Sequence, residues 1–208
     1  MRAIWDDFGD WYQHYEIFTL QGLMTCVAMT KAQNAKSILE VACSSGRHSE
    51  LIAKGFLRRG SRLVSCDFSK HMVEMMCDRY EHSEFKLVPN CRVITDLRDF
   101  VADSSLRPEL PEPKPDEKVV FGCMADNMRL PFADASFDCY IANLSLMIVP
   151  DYKLQIKEAY RVLQPGSWAC FAVWGRPERS LQFTLVDTAE KMLGREPTQT
   201  QFLSHFHI

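Results

Sequence analysis

The chain carries no surplus of positive charge. Its 24 lysines and arginines are outnumbered by 27 aspartates and glutamates, giving a net charge of -3 and a pI near 6.1. Affinity for nucleic acid is largely electrostatic, so a phosphate-tracking surface is not expected. Long apolar runs are missing too. No stretch reaches the ~18 residues that a membrane-spanning helix requires, and no membrane span is expected. The eight cysteines, at 26, 43, 66, 77, 91, 123, 139 and 170, form no C-x-x-C pair and have no histidine at ligand spacing. That argues against a zinc site or a disulfide framework, and for reduced thiols packed as small hydrophobes in a cytoplasmic protein. His205 and His207 flank Phe206 without a third ligand, so no metal is expected there. An opening that carries Asp6, Asp7, Asp10 and Glu16 fits neither a secretory signal nor a transit peptide.

What is present fits one α/β domain over residues 1–208, with 47% hydrophobic and 25% charged residues. Trp5, Phe8, Trp11, Tyr12 and Tyr15 cluster near the start, and Leu20, Leu23, Met24, Val27 and Ala28 follow at helical spacing. Residues 1–35 therefore read as a helical lid, or as rings packed on a sheet. Strands are expected over 37–42, 62–67, 119–123, 137–143 and 167–174, and helices over 46–58, 69–80, 151–163 and 178–193. In the last but one, Ile156, Ala159, Tyr160 and Leu163 have the spacing of a buried face. Strands and helices in alternation imply a parallel sheet with crossovers, a Rossmann-like, doubly wound α/β fold with helices on both faces. Residues 85–118 break the rhythm. The acidic run from 104 to 116 holds Pro108, Pro111, Pro113 and Pro115 and reads as an exposed insertion or a docking loop.

Within this pattern, the apolar strand Ile38 to Val41 leads into the small residues Ala42, Cys43, Ser44, Ser45 and Gly46 and then a helix start. Such a turn brings main-chain N–H groups close to a nucleotide-like ligand. A second apolar strand, Leu63 to Cys66, ends at Asp67, an acid able to accept both hydroxyls of a ribose.

With these elements in order, the chain resembles the class I S-adenosylmethionine-dependent methyltransferases over about residues 37–175. It is most similar to the small-molecule group that includes the ubiquinone and menaquinone C-methyltransferases. The family's acid and three alternating glycines read here as Glu40-Val41-Ala42-Cys43-Ser44-Ser45-Gly46. Its ribose acid falls on Asp67 and its adenine-side acid on Asp126, within Ala125-Asp126-Asn127. Asn143-Leu144-Ser145-Leu146 ends the fourth strand, and Arg161-Val162-Leu163-Gln164-Pro165-Gly166 precedes the fifth.

The resemblance implies S-adenosyl-L-methionine as cofactor and methyl transfer to a small-molecule acceptor. Ala42, Cys43, Ser44 and Gly46 would let the main chain approach it, and Glu40 would order the turn at its amino-acid end. Phe68 and Met72 would sandwich the adenine, though Met72 also belongs to an apolar helix stripe. Asp126 would accept from the adenine amine beside Asn127, and Asn143 would lie near the methyl group or simply end its strand. No catalytic base stands out; His48 and His71 read as solvated or capping residues at helix starts. The segment 143–146 is not the Asp/Asn-Pro-Pro-Tyr/Phe tetrad of the amino-group methyltransferases of adenine or glutamine.

Two departures stand against the pattern. Ala42 and Ser44 replace glycines, which is expected to be tolerated only where φ is negative. Of the family's C-terminal hairpin only residues 202–208 remain, so either the sequence is truncated there or a second copy or a partner strand covers the open sheet edge. A non-catalytic methyltransferase-like scaffold subunit is the main alternative. A nicotinamide dehydrogenase is disfavoured by the missing second glycine and the lack of a hydride site.

Overall fold

The computed structural model describes residues 5–6, 16–82, 88–103, 105–176 and 181–195. The aromatic positions 8, 11, 12 and 15 and the segment 202–208 lie outside them. In chain order the elements are helix α1 (Glu16–Thr30), a 3-10 turn (Ala32–Asn34), β1 (Ser37–Val41), α2 (Arg47–Gly55), β2 (Ser61–Asp67) and α3 (Lys70–His82). There follow β3 (Cys91–Asp96), β4 (Lys118–Met124), β5 (Phe137–Asn143), α4 (Tyr152–Val162), β6 (Leu163–Ala172) and α5 (Leu181–Met192).

All six strands pair in parallel, in the order β3-β4-β2-β1-β5-β6. Alternate residues of each strand face opposite sides, as a period of two requires. Ile38, Leu63, Val120 and Ile141 pack with Leu23 and Val27 of α1, Ile52 of α2 and Met76 of α3 on one face. Leu39, Val64, Phe121 and Tyr140 pack with Ala159 and Val162 of α4 on the other. Helices thus cover both faces of a doubly wound sheet, as the alternating pattern implied.

Three features differ from the sequence reading. First, β3 lies inside the rhythm-breaking segment 85–118 and forms a sheet edge beside β4. Among the described residues no helix joins β3 to β4. The proline-rich run supplies the cover instead: Phe100 is 2% exposed, and Leu106 and Leu110 pack against the same core face as α4. Second, α4 turns Gln155, Ala159 and Val162 inward, while Ile156 and Tyr160 face out. The buried Gln155 amide donates to Ser145 Oγ at 3.0 Å and to Tyr140 Oη at 3.3 Å, and these bonds set the helix's rotation. Asp151 caps α4 by accepting from the backbone N–H of Lys153 at 2.9 Å. Third, β6 begins directly at Leu163. Gln164, Pro165 and Gly166 bulge between the pairings Phe137↔Leu163 and Cys139↔Trp168. Among the described residues β6 is the other edge strand, and its Trp168 is exposed.

Burial of Phe100 makes the helix-free crossover part of the core. Phe100→Ala should lower the unfolding free energy by about 3–5 kcal/mol in urea titration. A loss below about 1 kcal/mol would mean that the segment is a dispensable insertion.

Candidate functional site

The chain leaves β1 for β2 on one side and reaches β5 on the other, so the carboxyl end of β1 is the switch point of the sheet. Ligands of open α/β sheets bind outside such a point. The carboxyl ends of β1, β2, β4 and β5 bring to this edge the turn 42–46, Asp67, Asp126, Asn127 and Asn143.

The turn after β1 is left-handed at alternate residues. Ala42, Ser44 and Gly46 have φ of 52°, 54° and 79°. This corrects the expectation of negative φ at 42 and 44. The backbone keeps a glycine-like path at all three positions although two carry side chains. Only at 46 does space itself demand glycine, because a Cβ there would lie 2.5 Å from Met76 Cγ. At 42 and 44 the penalty is torsional, of order 1–2 kcal/mol each. Hydrogen bonds hold the turn against it. Asp67 Oδ2 accepts from Ser44 N–H at 2.9 Å, and Cys43 N–H donates to the Cys66 carbonyl at 3.0 Å. The Ser44 hydroxyl donates to Glu16 Oε1 at 2.9 Å.

Asp67 is almost fully buried, and its Oδ1 accepts from Ser69 N–H at 2.9 Å. Burial outweighs these bonds and raises its carboxyl to about 6. Glu40, 1% exposed, does not face the open edge. Its Oε2 accepts from Ser49 Oγ at 2.5 Å and Ser65 Oγ at 3.2 Å, bracing β1 against α2 and β2, and burial pushes it up to about 7. Cys43 is buried with its Sγ 3.3 Å from Met76 Sδ, and its thiol lies well above the usual range through burial. Phe68 is half-buried at the end of β2. Met72 is 2% exposed, with its sulfur 3.5 Å from Ser44 Oγ. Asp126, half-buried, accepts from Met128 N–H at 2.9 Å through Oδ1.

α1 closes over this edge. Gly22 passes so near Asn143 that a Cβ would meet its Oδ1 at 2.4 Å. Asn143 Nδ2 donates to the Thr19 carbonyl at 3.0 Å. The Thr19 hydroxyl donates to the Glu16 carbonyl at 2.7 Å and stands 2.9 Å from His48 Nε2. Its one proton is committed, so Nε2 carries the imidazole proton and Nδ1 is left to accept. His48 is therefore buried rather than solvated, and burial lowers its pKa. Glu16, Thr19 and Arg79 escaped the sequence reading. The signal was available: the buried stripe of α1 at 23, 26, 27 and 30 extends back through 19 to 16, which places an acid on the inward face.

Three buried acceptors at this edge have no hydrogen-bond partner: Glu16 Oε2, Asn127 Oδ1 and Asn143 Oδ1. A ligand rich in donors fits such a set. S-adenosylmethionine carries an exocyclic amine, two ribose hydroxyls and an ammonium group. The residues fit it. A cavity of about 340 Å³ lies instead at the amino edge of the sheet, between Arg62, Leu110 and Phe132. Arg62 there donates to Ser37, Glu112 and Ser136, so its charge is already engaged.

Residues 39–171 match a family model described as a methyltransferase domain. Similar curated proteins include the demethylmenaquinone methyltransferases of Streptomyces griseus and Thermobifida fusca. The first is 23% identical over 150 residues, covering 72% of this chain and 47% of that protein. The second is 28% identical over 140 residues, covering 67% and 44%. The chain spans about half the length of the curated relatives it matches. Among solved structures, a SAM-dependent methyltransferase from Thermotoga maritima has a TM-score of 0.51 at 17% identity, covering 81% of this chain and 59% of that one. A chain in complex with a methyltransferase activator from Haloferax volcanii has a TM-score of 0.57 at 17% identity, covering 83% and 59%. These two likenesses establish the fold.

Ala42→Gly should raise stability by about 1 kcal/mol in urea titration, by relieving the left-handed torsion; a loss would place φ at 42 elsewhere. Glu40 makes stability fall with pH. Folded chains keep a proton that unfolded chains release between about pH 4.5 and about 7, a loss of up to about 3 kcal/mol across that window. Glu40→Gln should remove this slope, so that its advantage over wild type grows as pH rises through the window.

Proposed function

This chain belongs to the methyltransferase-domain family, and we propose that it acts as a methyltransferase moving a methyl group from S-adenosyl-L-methionine to a small-molecule acceptor. The observation that carries this reading is the set of unpartnered buried acceptors around a glycine-like turn. A scaffold subunit would have no use for them. The cofactor, when bound, supplies a sulfonium-held methyl group open to displacement by a nucleophile.

The chain's part is binding and alignment. Asp67 keeps lone pairs for ribose hydroxyls after accepting from Ser44 and Ser69. Phe68 and Met72 would flank the adenine, with Asp126 and the free Oδ1 of Asn127 receiving its amine. Ala42, Cys43, Ser44 and Gly46 would bring main chain to the amino-acid end, braced from behind by Glu40. Asn143, fixed beneath α1, would lie at the methyl end. α1 shields this edge from water, and such positioning can supply about 7–11 kcal/mol of a barrier. No general base is assigned. The exposed Ile17 and Phe18 on the first turn of α1 suit an apolar acceptor, in line with the quinone chemistry named in the relatives.

The free thiols, five of the eight buried, suit the reducing cytoplasm. No helix among the described residues is long and apolar enough to cross a membrane. The open edge of β6 would accept a partner strand or a second copy.

Calorimetric titration should show S-adenosylmethionine binding in the micromolar range, weakened at least tenfold by Asp67→Asn. Methyl-labelled cofactor should then label a small acceptor from a panel headed by reduced demethylmenaquinone analogues. No binding to a folded chain would overturn this function in favour of the scaffold.

A further inference from the structure

Glu16 stands outside every motif, yet it is the most constrained acid at the site. It is 2% exposed at the start of α1. Its Oε1 accepts from Ser45 Oγ at 2.7 Å, Ser44 Oγ at 2.9 Å and Ser45 N–H at 3.3 Å. Its Oε2 accepts from nothing. Among the described residues its ion-pair partner is Arg79, at 3.9 Å from that oxygen and beyond hydrogen-bond reach. Arg79 is also occupied: it donates to the Ser45 carbonyl at 2.9 Å and to Ser45 Oγ at 3.0 Å, and stands 3.8 Å from Glu50.

A buried carboxylate oxygen without a donor is unfavourable, so its persistence points to a donor brought by a ligand. The carboxylate cannot swing away to find one. Three hydrogen bonds hold Oε1, and α1 is pinned to the sheet by Leu23, Cys26 and Val27, each at most 2% exposed. The ligand must come to Glu16. Ser44 and Ser45 then acquire a purpose that glycine could not serve, because their hydroxyls fix the carboxylate. Asp67, whose Oδ2 accepts from Ser44 N–H, is a second buried acid bonded to the same turn.

We propose that Glu16 is a specificity-determining residue that receives the ammonium group of the cofactor's amino-acid end on Oε2, selecting ammonium-bearing nucleoside ligands. This rests on the cofactor reading above, and the test separates the two. Three probes differ only at that end: S-adenosylmethionine with ammonium and carboxylate, its decarboxylated form with ammonium alone, and 5′-methylthioadenosine with neither. Each is titrated by calorimetry into wild type and Glu16→Gln, whose amide keeps an acceptor for the serines and replaces Oε2 by a donor.

The expected result is a loss on the order of ten- to a hundredfold for both ammonium-bearing probes, with 5′-methylthioadenosine unchanged. That unchanged probe also shows that the variant is folded. Equal affinities of wild type and variant for S-adenosylmethionine would overturn the assignment. Tighter binding of S-adenosylmethionine by the variant, with the decarboxylated form unaffected, would also overturn it, because Glu16 would then be standing in the place of the cofactor's carboxylate. Failure of all three probes to bind wild type would overturn the cofactor reading itself, and this assignment with it.

Discussion

The site depends on one tight reversal of the chain. Between the end of β1 and the start of α2, the backbone passes through three left-handed residues, at 42, 44 and 46. Glycine would make this path inexpensive, but two of the three positions are not glycine. The conformation is instead imposed from outside. Asp67 holds the Ser44 N–H from β2, Glu16 holds both serine hydroxyls from α1, and Arg79 holds the Ser45 carbonyl from α3. Three separate elements meet on two consecutive residues. The turn is therefore as rigid as the packing of those elements, and it keeps its shape only while all three are in place.

That arrangement concentrates buried acids. Glu16, Glu40 and Asp67 are all buried, and Arg79 beside the turn is shared between Glu16 and Glu50. Dehydration is the leading cause of the raised pKa values of Glu40 and Asp67. An acidic, dehydrated turn is a poor place for a free protein to store charge and a good place to bind a cation. Function and stability pull against each other here, as they commonly do where a site is preorganised.

Much of this was legible in the residues. The five main strands and their parallel direction followed from the alternation of apolar runs with helical spacing. The turn and Asp67 followed from small residues and an acid at strand ends. β3 was not found, although Val93, Ile94 and Thr95 are good strand residues, because the proline-rich run beyond it dominates the local signal. The rotation of α4 was misread because Tyr160 looks like a core residue, while the buried Gln155 looks like a surface one. Its amide N–H groups find their acceptors on β5 and the loop beyond, which no local pattern displays. The positive φ at 42 and 44 was missed for the same reason. Propensity forbids it, and long-range hydrogen bonds override propensity.

The place of β4 bears on how the chain is assembled during synthesis. β4 is hydrogen-bonded on one side to β2 and on the other to β3, and both precede it in the chain. Until residues 118–124 emerge from the ribosome, β2 and β3 face a vacancy one strand wide, and β3 has no neighbour to pair with. The crossover between β3 and β4 emerges while β3 is still unpaired. Its prolines at 108, 111, 113 and 115 lack N–H donors and suit it to that interval, since they discourage the growing chain from zipping onto the wrong strand.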